Sequence, residues 1–325
     1  MNSSLTVVIP TYQRPALLRN CLNALAQQQI PAWAQIDVIV VDDANDPAVA
    51  DLVLKTTQQT SLTIRYLGQP QRRGPAAARN RGWQAATSSF IAFTDDDCLP
   101  QPDWLTMGLL SLLRGAKVLT GRVRMPLPDQ PSSHDRTTAL LETAEFVTAN
   151  LFCQRSVLEQ VGGFDEQFDS AWREDSDLQF KILQAGIPIT TCPEAVIVHP
   201  IRPAPWYASL RDERKNRYDA LLYKRHPVLF RQRIPAYRNL VLRYYGSVLG
   251  LTVGVFALNK DHTVLATAGI GLWAVLTIRL VQERLPNRAM DWKILKQTVL
   301  TSLATPFLSV YWRLYGAFKY KTWYW

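Results

Sequence analysis

Three consecutive carboxylates, Asp95, Asp96 and Asp97, follow a short apolar run that is typical of a buried strand. Adjacent carboxylates repel one another unless a cation is present. Hard divalent cations take oxygen ligands, often one or two carboxylates together with substrate phosphates. Such a metal would offset the charge that builds up on a departing diphosphate. We expect Asp95 and Asp97 to be the metal-binding pair, and a solvated acidic loop is the alternative.

A second acidic pair, Asp42 and Asp43, ends another apolar run. Either side chain could accept a hydrogen bond from a nucleobase or a ribose, although Asp at a strand end is often a turn or cap residue. A basic, glycine-containing loop lies further along the chain. Its arginines could hold phosphates or a pyrimidine, with an ordinary solvated loop as the alternative. They are Arg72, Arg73 and Arg79.

Glu174 and Asp175 open a stretch with helical periodicity that ends at Gly186. Carboxylates at a helix start commonly only complement the helix dipole. The functional alternative makes Asp175 a general base that takes a proton from an acceptor hydroxyl. His199 follows a further strand-like run, and it is either a metal ligand or a structural histidine.

The elements that must position these residues alternate along the first 200 residues. Short β-branched runs alternate with helical stretches, which predicts parallel strands joined by crossover helices. The runs 36–41 and 90–94 lead directly into the two acidic clusters. Ligands of open α/β sheets bind outside the carboxyl ends of the strands. We therefore expect both clusters at one site.

The second half of the chain contains two strongly apolar segments, 239–258 and 263–281. Each is long enough to cross a bilayer of about 30 Å as a helix. Arginines flank the two segments, whereas Lys260 is the only lysine or arginine in the connecting turn. This distribution fits the positive-inside rule. A buried helical hairpin in a soluble domain is the alternative, because Arg243 and Arg279 lie inside the segments.

A third apolar stretch, 298–311, contains Pro306 and is short for a full span. Aromatic and basic residues alternate after it, a pattern that suits the headgroup region of a membrane. Such a pattern also occurs in proteins that bind single-stranded nucleic acid. Because the stretch adjoins two candidate spans, we expect a membrane and no nucleic acid as the partner.

The charge is unevenly distributed. Residues 1–200 contain 16 Lys and Arg against 21 Asp and Glu, whereas residues 201–325 contain 20 against 6. A basic half indicates an anionic surface as partner. The four cysteines are scattered without metal-ligand spacing, which indicates reduced thiols. The N-terminus shows no signal-peptide pattern. We expect the protein at the cytoplasmic face of the plasma or inner membrane.

Taken in order, six segments resemble glycosyltransferase family 2 over roughly residues 5–200. They read VVIPTYQRPALLRNCL, VVDDAND, GPAAARNRGW, FIAFTDDDCLPQPDWL, VGGFDEQFD and REDSDLQFKILQAG. The resemblance implies a GT-A fold, which is a Rossmann-like α/β fold with a mostly parallel sheet and flanking helices. It also implies a nucleotide-diphospho-sugar donor, Mg²⁺ or Mn²⁺, and inversion at the anomeric carbon.

The resemblance also assigns roles by position. Asp43 would face the base, and Asp175, with Glu174 beside it, would be the catalytic base. With the basic loop included, the residues expected to bind the nucleotide sugar are Pro10, Thr11, Asp43, Arg72, Arg73, Arg79, Asp95 and Asp96. Those expected to bind the metal are Asp95, Asp97 and His199. Trp172 and Arg173 stand where many members have small residues, which puts the shape of the acceptor pocket in doubt.

The predicted organisation is a catalytic domain over residues 1–205, a basic helical linker over 206–238 and a hydrophobic helical region over 239–325. The QxxRW element of processive synthases is absent from the sequence, so we expect transfer of a single sugar. The expected donor is a UDP-sugar, and the expected acceptor is a lipid-linked glycan, a glycolipid or another lipid alcohol. The alternatives are a peripheral enzyme of polysaccharide assembly, a non-catalytic subunit that binds nucleotide sugars, and a nucleotidyltransferase.

Overall fold

A computed structural model of the chain describes residues 3–129, 131–235, 237–285 and 291–324, except for the side chains of Ser3 and Ser133. This part of the chain divides into two compact units. The first extends to Ile201 except for Pro131–Thr137, and the second consists of that segment and the chain from Arg202 onward.

Eight strands of the described chain form one sheet in the first unit. They are β1 (Ser3–Thr11), β2 (Ala34–Asp42), β3 (Thr63–Gly68), β4 (Phe90–Phe93), β5 (Leu99–Pro100), β6 (Val118–Arg124), β7 (Leu151–Gln154) and β8 (Ile189–Val198). Their order in the sheet is β3-β2-β1-β4-β7-β6-β8-β5. β1 pairs in parallel with β2 and β4, and β2 pairs in parallel with β3. This half of the sheet has the predicted crossover arrangement.

The other half of the sheet departs from the parallel prediction. β7 pairs antiparallel with both β4 and β6, and β5 pairs antiparallel with β8. Only β6 and β8 are parallel there. β7 follows a 3₁₀ turn, Thr148–Asn150, and runs opposite to both of its neighbours in the sheet. The sheet is therefore mixed.

Helices of the first unit cover both faces of this sheet, and further helices form the second unit. In chain order the helices are α1 (Pro15–Ala26), α2 (Pro47–Gln59), α3 (Pro75–Ala85), α4 (Trp104–Leu113), α5 (Ser133–Ala139), α6 (Arg155–Val161), α7 (Glu174–Gln184), α8 (Ala208–Asp212), α9 (Arg217–Arg225), α10 (Pro227–Arg233), α11 (Arg238–Leu258), α12 (Thr263–Arg284) and α13 (Trp292–Lys319). Leu22 of α1 and Trp104 of α4 belong to one buried apolar layer. Trp83 of α3 and Leu178 of α7 belong to a second layer.

In the second unit, α11 and α12 form a helical hairpin, and the two helices contact each other at glycines. A Cβ added at Gly250 would lie 2.9 Å from the carbonyl oxygen of Gly269, and one added at Gly254 would lie 2.9 Å from the backbone nitrogen of Ile270. Small residues four apart allow this close backbone approach, a pattern common between membrane helices. This glycine contact was not predicted from the sequence.

Two further segments of the second unit belong to helices that pack within it. The apolar stretch 298–311 lies inside α13, which continues for 28 residues through Pro306. The hydroxyls of Thr301 and Thr305 donate to backbone carbonyls one turn earlier, and such side-chain bonds help a helix to tolerate proline. The described residues of 206–235 form α8, α9 and α10 with a 3₁₀ turn, and α9 packs against α13 and buries Tyr218 and Leu222. This segment is therefore a packed part of the second unit.

The close contact between α3 and β1 depends on Gly82. A Cβ at this position would lie 2.3 Å from Cγ1 of Val8. We expect Gly82→Ala to lower the free energy of unfolding by about 1–3 kcal/mol through overpacking. In a unit of this size each kcal/mol corresponds to about 2–4 °C in Tm. Thermal unfolding followed by circular dichroism measures the change, and Gln84→Ala on the exposed face of α3 is the control. A Gly82→Ala variant as stable as this control would contradict the packing argument.

Candidate active site

The carboxyl ends of β1, β2 and β4 meet at one edge of the sheet, with β1 between the other two. β1 ends at Thr11 and β2 ends at Asp42, and Asp95 lies two residues beyond the end of β4. The two acidic clusters therefore lie at the same edge, as the strand pattern predicts. Pro10 is buried within β1 and pairs with Val41.

A buried guanidinium joins two of the predicted site carboxylates. Arg79 Nη2 donates to Asp95 Oδ1 at 2.8 Å, and Arg79 Nη1 donates to Glu174 Oε1 at 3.1 Å. The Arg79 side chain is 3% exposed. Burial alone would lower the pKa of Arg79, but the two carboxylates raise it above its ordinary value. Arg79 is therefore a permanent cation that links the end of β4 to the start of α7.

The middle residue of the acidic cluster faces groups of the first strand and of the turn that follows it. Asp96 Oδ2 accepts a hydrogen bond from the hydroxyl of Thr11 at 2.7 Å, and Asp96 Oδ1 lies 3.3 Å from Arg14 Nη1. Burial, and then the charge of Asp97, raise the pKa of Asp96 to about 6. Arg14 was not predicted as a site residue, although a basic residue just after the first strand was a visible signal.

The third residue of the cluster lies beside the predicted histidine. Asp97 Oδ1 is 3.6 Å from His199 Nε2, and the thiol of Cys98 lies within 4.8 Å of both groups. Asp97 is buried, and His199 is half-buried at the end of β8. One carboxylate oxygen and one imidazole nitrogen at this separation could contact the same cation. The donor set fits Mn²⁺ or Mg²⁺, which prefer oxygen ligands and accept imidazole.

Asp43 accepts three hydrogen bonds from its own chain. Its Oδ1 accepts from Gln69 Nε2 at 2.9 Å and from the backbone nitrogen of Arg73 at 2.7 Å, and its Oδ2 accepts from the backbone nitrogen of Gly74 at 2.8 Å. Gly74 has a φ of +90° and leaves no room for a Cβ, which would lie 2.4 Å from the carbonyl oxygen of Asp169. Asp43 thus shapes the 69–74 loop, a role that the sequence analysis did not anticipate.

The two arginines of that loop face different groups. The guanidinium of Arg72 lies over the ring of Tyr12, 4.4 Å from its centroid. The guanidinium of Arg73 forms an ion pair with Glu166. Asn80, which the sequence analysis missed, supports the same region by bonding both the backbone nitrogen and the carbonyl oxygen of Phe164. No local pattern predicts this contact, because Phe164 lies 84 positions away.

Asp175 lies in the first turn of α7. Its Oδ1 accepts from the backbone nitrogen of Ser176 at 2.7 Å, and the side chain is half-buried. Burial raises the pKa of Asp175 above its ordinary value, which makes its carboxylate a stronger base. Burial also raises the pKa of the neighbouring Glu174. Arg173, which precedes the pair, has a φ of +73°, and such backbone strain is common at functional sites.

This geometry agrees with two family matches. The chain matches the model of glycosyl transferase family 2 over residues 6–165 and that of glycosyl transferase family group 2 over residues 132–282. The chain belongs to glycosyltransferase family 2. The membership supports the predicted enzyme class.

Two relatives illustrate how far this likeness extends. The chain is 27% identical over 209 residues to glycosyltransferase AglE of Haloferax volcanii. The aligned region covers 61% of this chain and 67% of the relative. The chain is 31% identical over 211 residues to the pre-mycofactocin glycosyltransferase of Mycobacterium tuberculosis. This aligned region covers 60% of the chain and 42% of the relative. The chain thus spans less than half of the second protein.

A solved structure with the same fold is the mannosyltransferase PcManGT from Pyrobaculum calidifontis in complex with GDP-Man and Mn²⁺. The TM-score is 0.57 at 18% sequence identity, and the match covers 96% of this chain and 87% of PcManGT. The predicted GT-A fold is confirmed.

The Arg79 network yields a stability prediction. Arg79→Ala would leave two carboxylates at the site without their shared cation, and removing one partner of a buried ion pair costs about 3–5 kcal/mol. We expect a loss of this size, and a smaller loss for Arg79→Lys, which keeps the charge but not the two-pronged geometry. Urea unfolding followed by tryptophan fluorescence measures both, with Arg19→Ala on the exposed face of α1 as control. An unchanged midpoint for Arg79→Ala would refute the structural role of this network.

Proposed function

We propose that this protein is an inverting glycosyltransferase that moves one sugar from a nucleotide-diphospho-sugar to a hydroxyl of a membrane-borne acceptor. The observation that carries the proposal is the linkage of Asp95, Arg79 and Glu174. It fixes the acidic cluster at the end of β4 beside the start of α7, where Asp175 lies. A donor-side group and a candidate base are thereby held in one site.

On the donor side, Asp97 and His199, with Asp95 from the same acidic cluster, would hold Mg²⁺ or Mn²⁺. When bound, such a cation supplies Lewis acidity that offsets the charge on the leaving diphosphate. The mannosyltransferase with the same fold binds GDP-Man and Mn²⁺, which supports this assignment. Pro10, Thr11 and the Asp43-organised loop would line the nucleotide pocket, and Arg72 and Arg73 of that loop are candidates for contact with the donor. The expected base is uracil.

On the acceptor side, Asp175 would act as the general base. Its carboxylate takes the proton of the acceptor hydroxyl while the acceptor oxygen bonds to the anomeric carbon and the bond from that carbon to the diphosphate breaks. A single displacement of this kind inverts the anomeric centre. It needs one base, in contrast to the two carboxylates of a glycosidase. Glu174 is engaged by Arg79 and would position Asp175 without exchanging the proton itself.

The proposed location is the cytoplasmic face of a membrane. By length and composition α11 and α12 could each cross a bilayer. Only 28% and 22% of their apolar windows are buried within the chain, so neither resembles the core helix of a soluble protein. The basic residues of 206–238 suit an anionic membrane surface. The acceptor would then be a lipid-linked glycan, a glycolipid or another lipid alcohol.

The first test of this mechanism is Asp175→Asn in the purified full chain. We expect the transfer rate to fall by about 10²–10⁴-fold, since the amide cannot accept the proton. Donor affinity should stay within a few-fold of wild type, because Asp175 is not placed at the nucleotide. Release of nucleoside diphosphate from UDP-, GDP- and dTDP-sugars, with and without Mn²⁺, measures the rate, and calorimetry measures the donor Kd.

Asp51→Asn, on the exposed face of α2, is the matched control and should remain active. Undiminished turnover by Asp175→Asn would rule out its role as the base. A wild-type chain that binds nucleotide sugars without turning any over would instead favour the non-catalytic alternative.

The second test concerns the membrane hairpin. All four native cysteines are buried, so an added surface cysteine should give a clear labelling signal. We expect Lys260→Cys, in the turn between α11 and α12, to react with a membrane-impermeant maleimide in intact cells. Ser61→Cys, exposed in the first unit, should react only after the cells are permeabilised. Equal labelling of both positions in intact cells, or of neither until lysis, would exclude the proposed topology.

A further inference from the structure

Arg122 and Arg124 line an open crevice in the first unit that the mechanism above does not use. The crevice has a volume of about 410 Å³. Its lining residues are Arg122, Arg124, Met125, Pro126, Glu142 and Val198. The two arginines alternate with the buried Val123 along β6, so both side chains leave the sheet on the same face.

Both guanidinium groups are available to a ligand. Among the residues that the structure describes, neither Arg122 nor Arg124 forms an ion pair or a side-chain hydrogen bond, and both are exposed. The other arginines near the acidic residues of the site are committed, since Arg79 joins two carboxylates and Arg73 pairs with Glu166. Arg122 and Arg124 are therefore two neighbouring cations without an acidic partner among the described residues, although this half of the chain carries more acidic than basic residues.

The crevice lies close to the candidate metal ligands but away from the nucleotide edge. Arg124 pairs with Val198 in the sheet, and its carbonyl oxygen accepts a hydrogen bond from the backbone nitrogen of His199 at 2.8 Å. The nucleotide edge is formed by β1, β2 and β4, whereas β7 separates β6 from β4. Leu119 and Val123 of β6 both pack in the first apolar layer, so the arginines lie on the opposite face of the strand. That face is the one of Val118, which packs in the same apolar layer as Leu178 of α7.

We propose that Arg122 and Arg124 form an anion subsite for the diphosphate of a lipid-diphosphate-linked acceptor. Arginine binds phosphate through two parallel hydrogen bonds. Two arginines that are two residues apart on one strand can therefore bind a diphosphate and offset its charge. The subsite rests on the proposed function, because it names the class of acceptor for the same site. It would hold the anionic part of the acceptor beside the metal ligands while the acceptor's sugar hydroxyl reaches Asp175.

The test compares ligand binding by two double variants of the full chain in detergent. The crevice variant is Arg122→Gln/Arg124→Gln, and the control variant is Arg19→Gln/Arg114→Gln. The second pair removes the same charge from two exposed positions outside the crevice. Calorimetry is run in EDTA, so that no divalent cation supports binding at the donor site. The probes are inorganic pyrophosphate, geranylgeranyl diphosphate and the uncharged alcohol geranylgeraniol. We expect the first double variant to bind both diphosphates at least tenfold more weakly than wild type, and the control to bind them normally.

Several results would overturn the assignment. Equal weakening in the control variant would mean that only net charge matters, and unchanged binding in the crevice variant would mean that the arginines are not involved. Arginine-dependent binding of pyrophosphate but not of geranylgeranyl diphosphate would exclude a lipid source. A loss of nucleotide-sugar affinity in Mn²⁺ on changing Arg122 and Arg124 would assign them to the donor.

The failure of the proposed function would look different. In that case wild type would turn over no donor in Mn²⁺, while its arginine-dependent affinity for geranylgeranyl diphosphate would persist. Geranylgeraniol that binds as tightly as the diphosphate would show that the prenyl chain, and not the anion, is recognised, which would also overturn the subsite.

Discussion

The buried guanidinium of Arg79 is the constraint on which the site depends. It is 3% exposed and lies between Asp95 and Glu174, residues from two elements that are far apart in sequence. An unpaired charge in this place would be strongly unfavourable, so the cation and both carboxylates require one another. The two donor nitrogens of the Arg79 guanidinium hold the residues after β4 and the first turn of α7 together. Asp175 therefore has a defined place relative to the acidic cluster.

The surplus of negative charge follows from the same arrangement. Three consecutive carboxylates and the Glu174–Asp175 pair lie in one site, and burial raises the pKa of Asp96, Glu174 and Asp175. Arg79 offsets part of this charge and Arg14 offsets another part. The remaining negative charge fits the proposed divalent cation, and the raised pKa of Asp175 fits its proposed role as the base.

The sequence predicted those features that depend on local pattern. Apolar runs that end in acidic residues predicted the strands β2 and β4. They also predicted the shared edge at which Asp43 and Asp95 lie, because the carboxyl ends of parallel strands meet at one edge of a sheet. It did not predict the Arg79 bridge or the three hydrogen bonds to Asp43. Those contacts join positions 16 to 95 residues apart, and no local spacing encodes them. The direction of β7 was missed for the same reason, since its partners lie in distant segments.

The glycine crossing of α11 and α12 helps to decide between a membrane hairpin and a soluble one. A soluble hairpin gains stability by burying large apolar side chains between its helices and leaving polar ones outside. Here the contact is made by Gly250, Gly254 and Gly269, while large side chains such as Phe256 and Val264 are exposed. Lipid offers no hydrophobic driving force for helix association, so close backbone packing through small residues is what holds membrane helices together. With small residues at the helix contact and large apolar side chains outside, the apolar surface lies where acyl chains would cover it. This packing supports the proposed membrane hairpin independently of the hydropathy of the two segments.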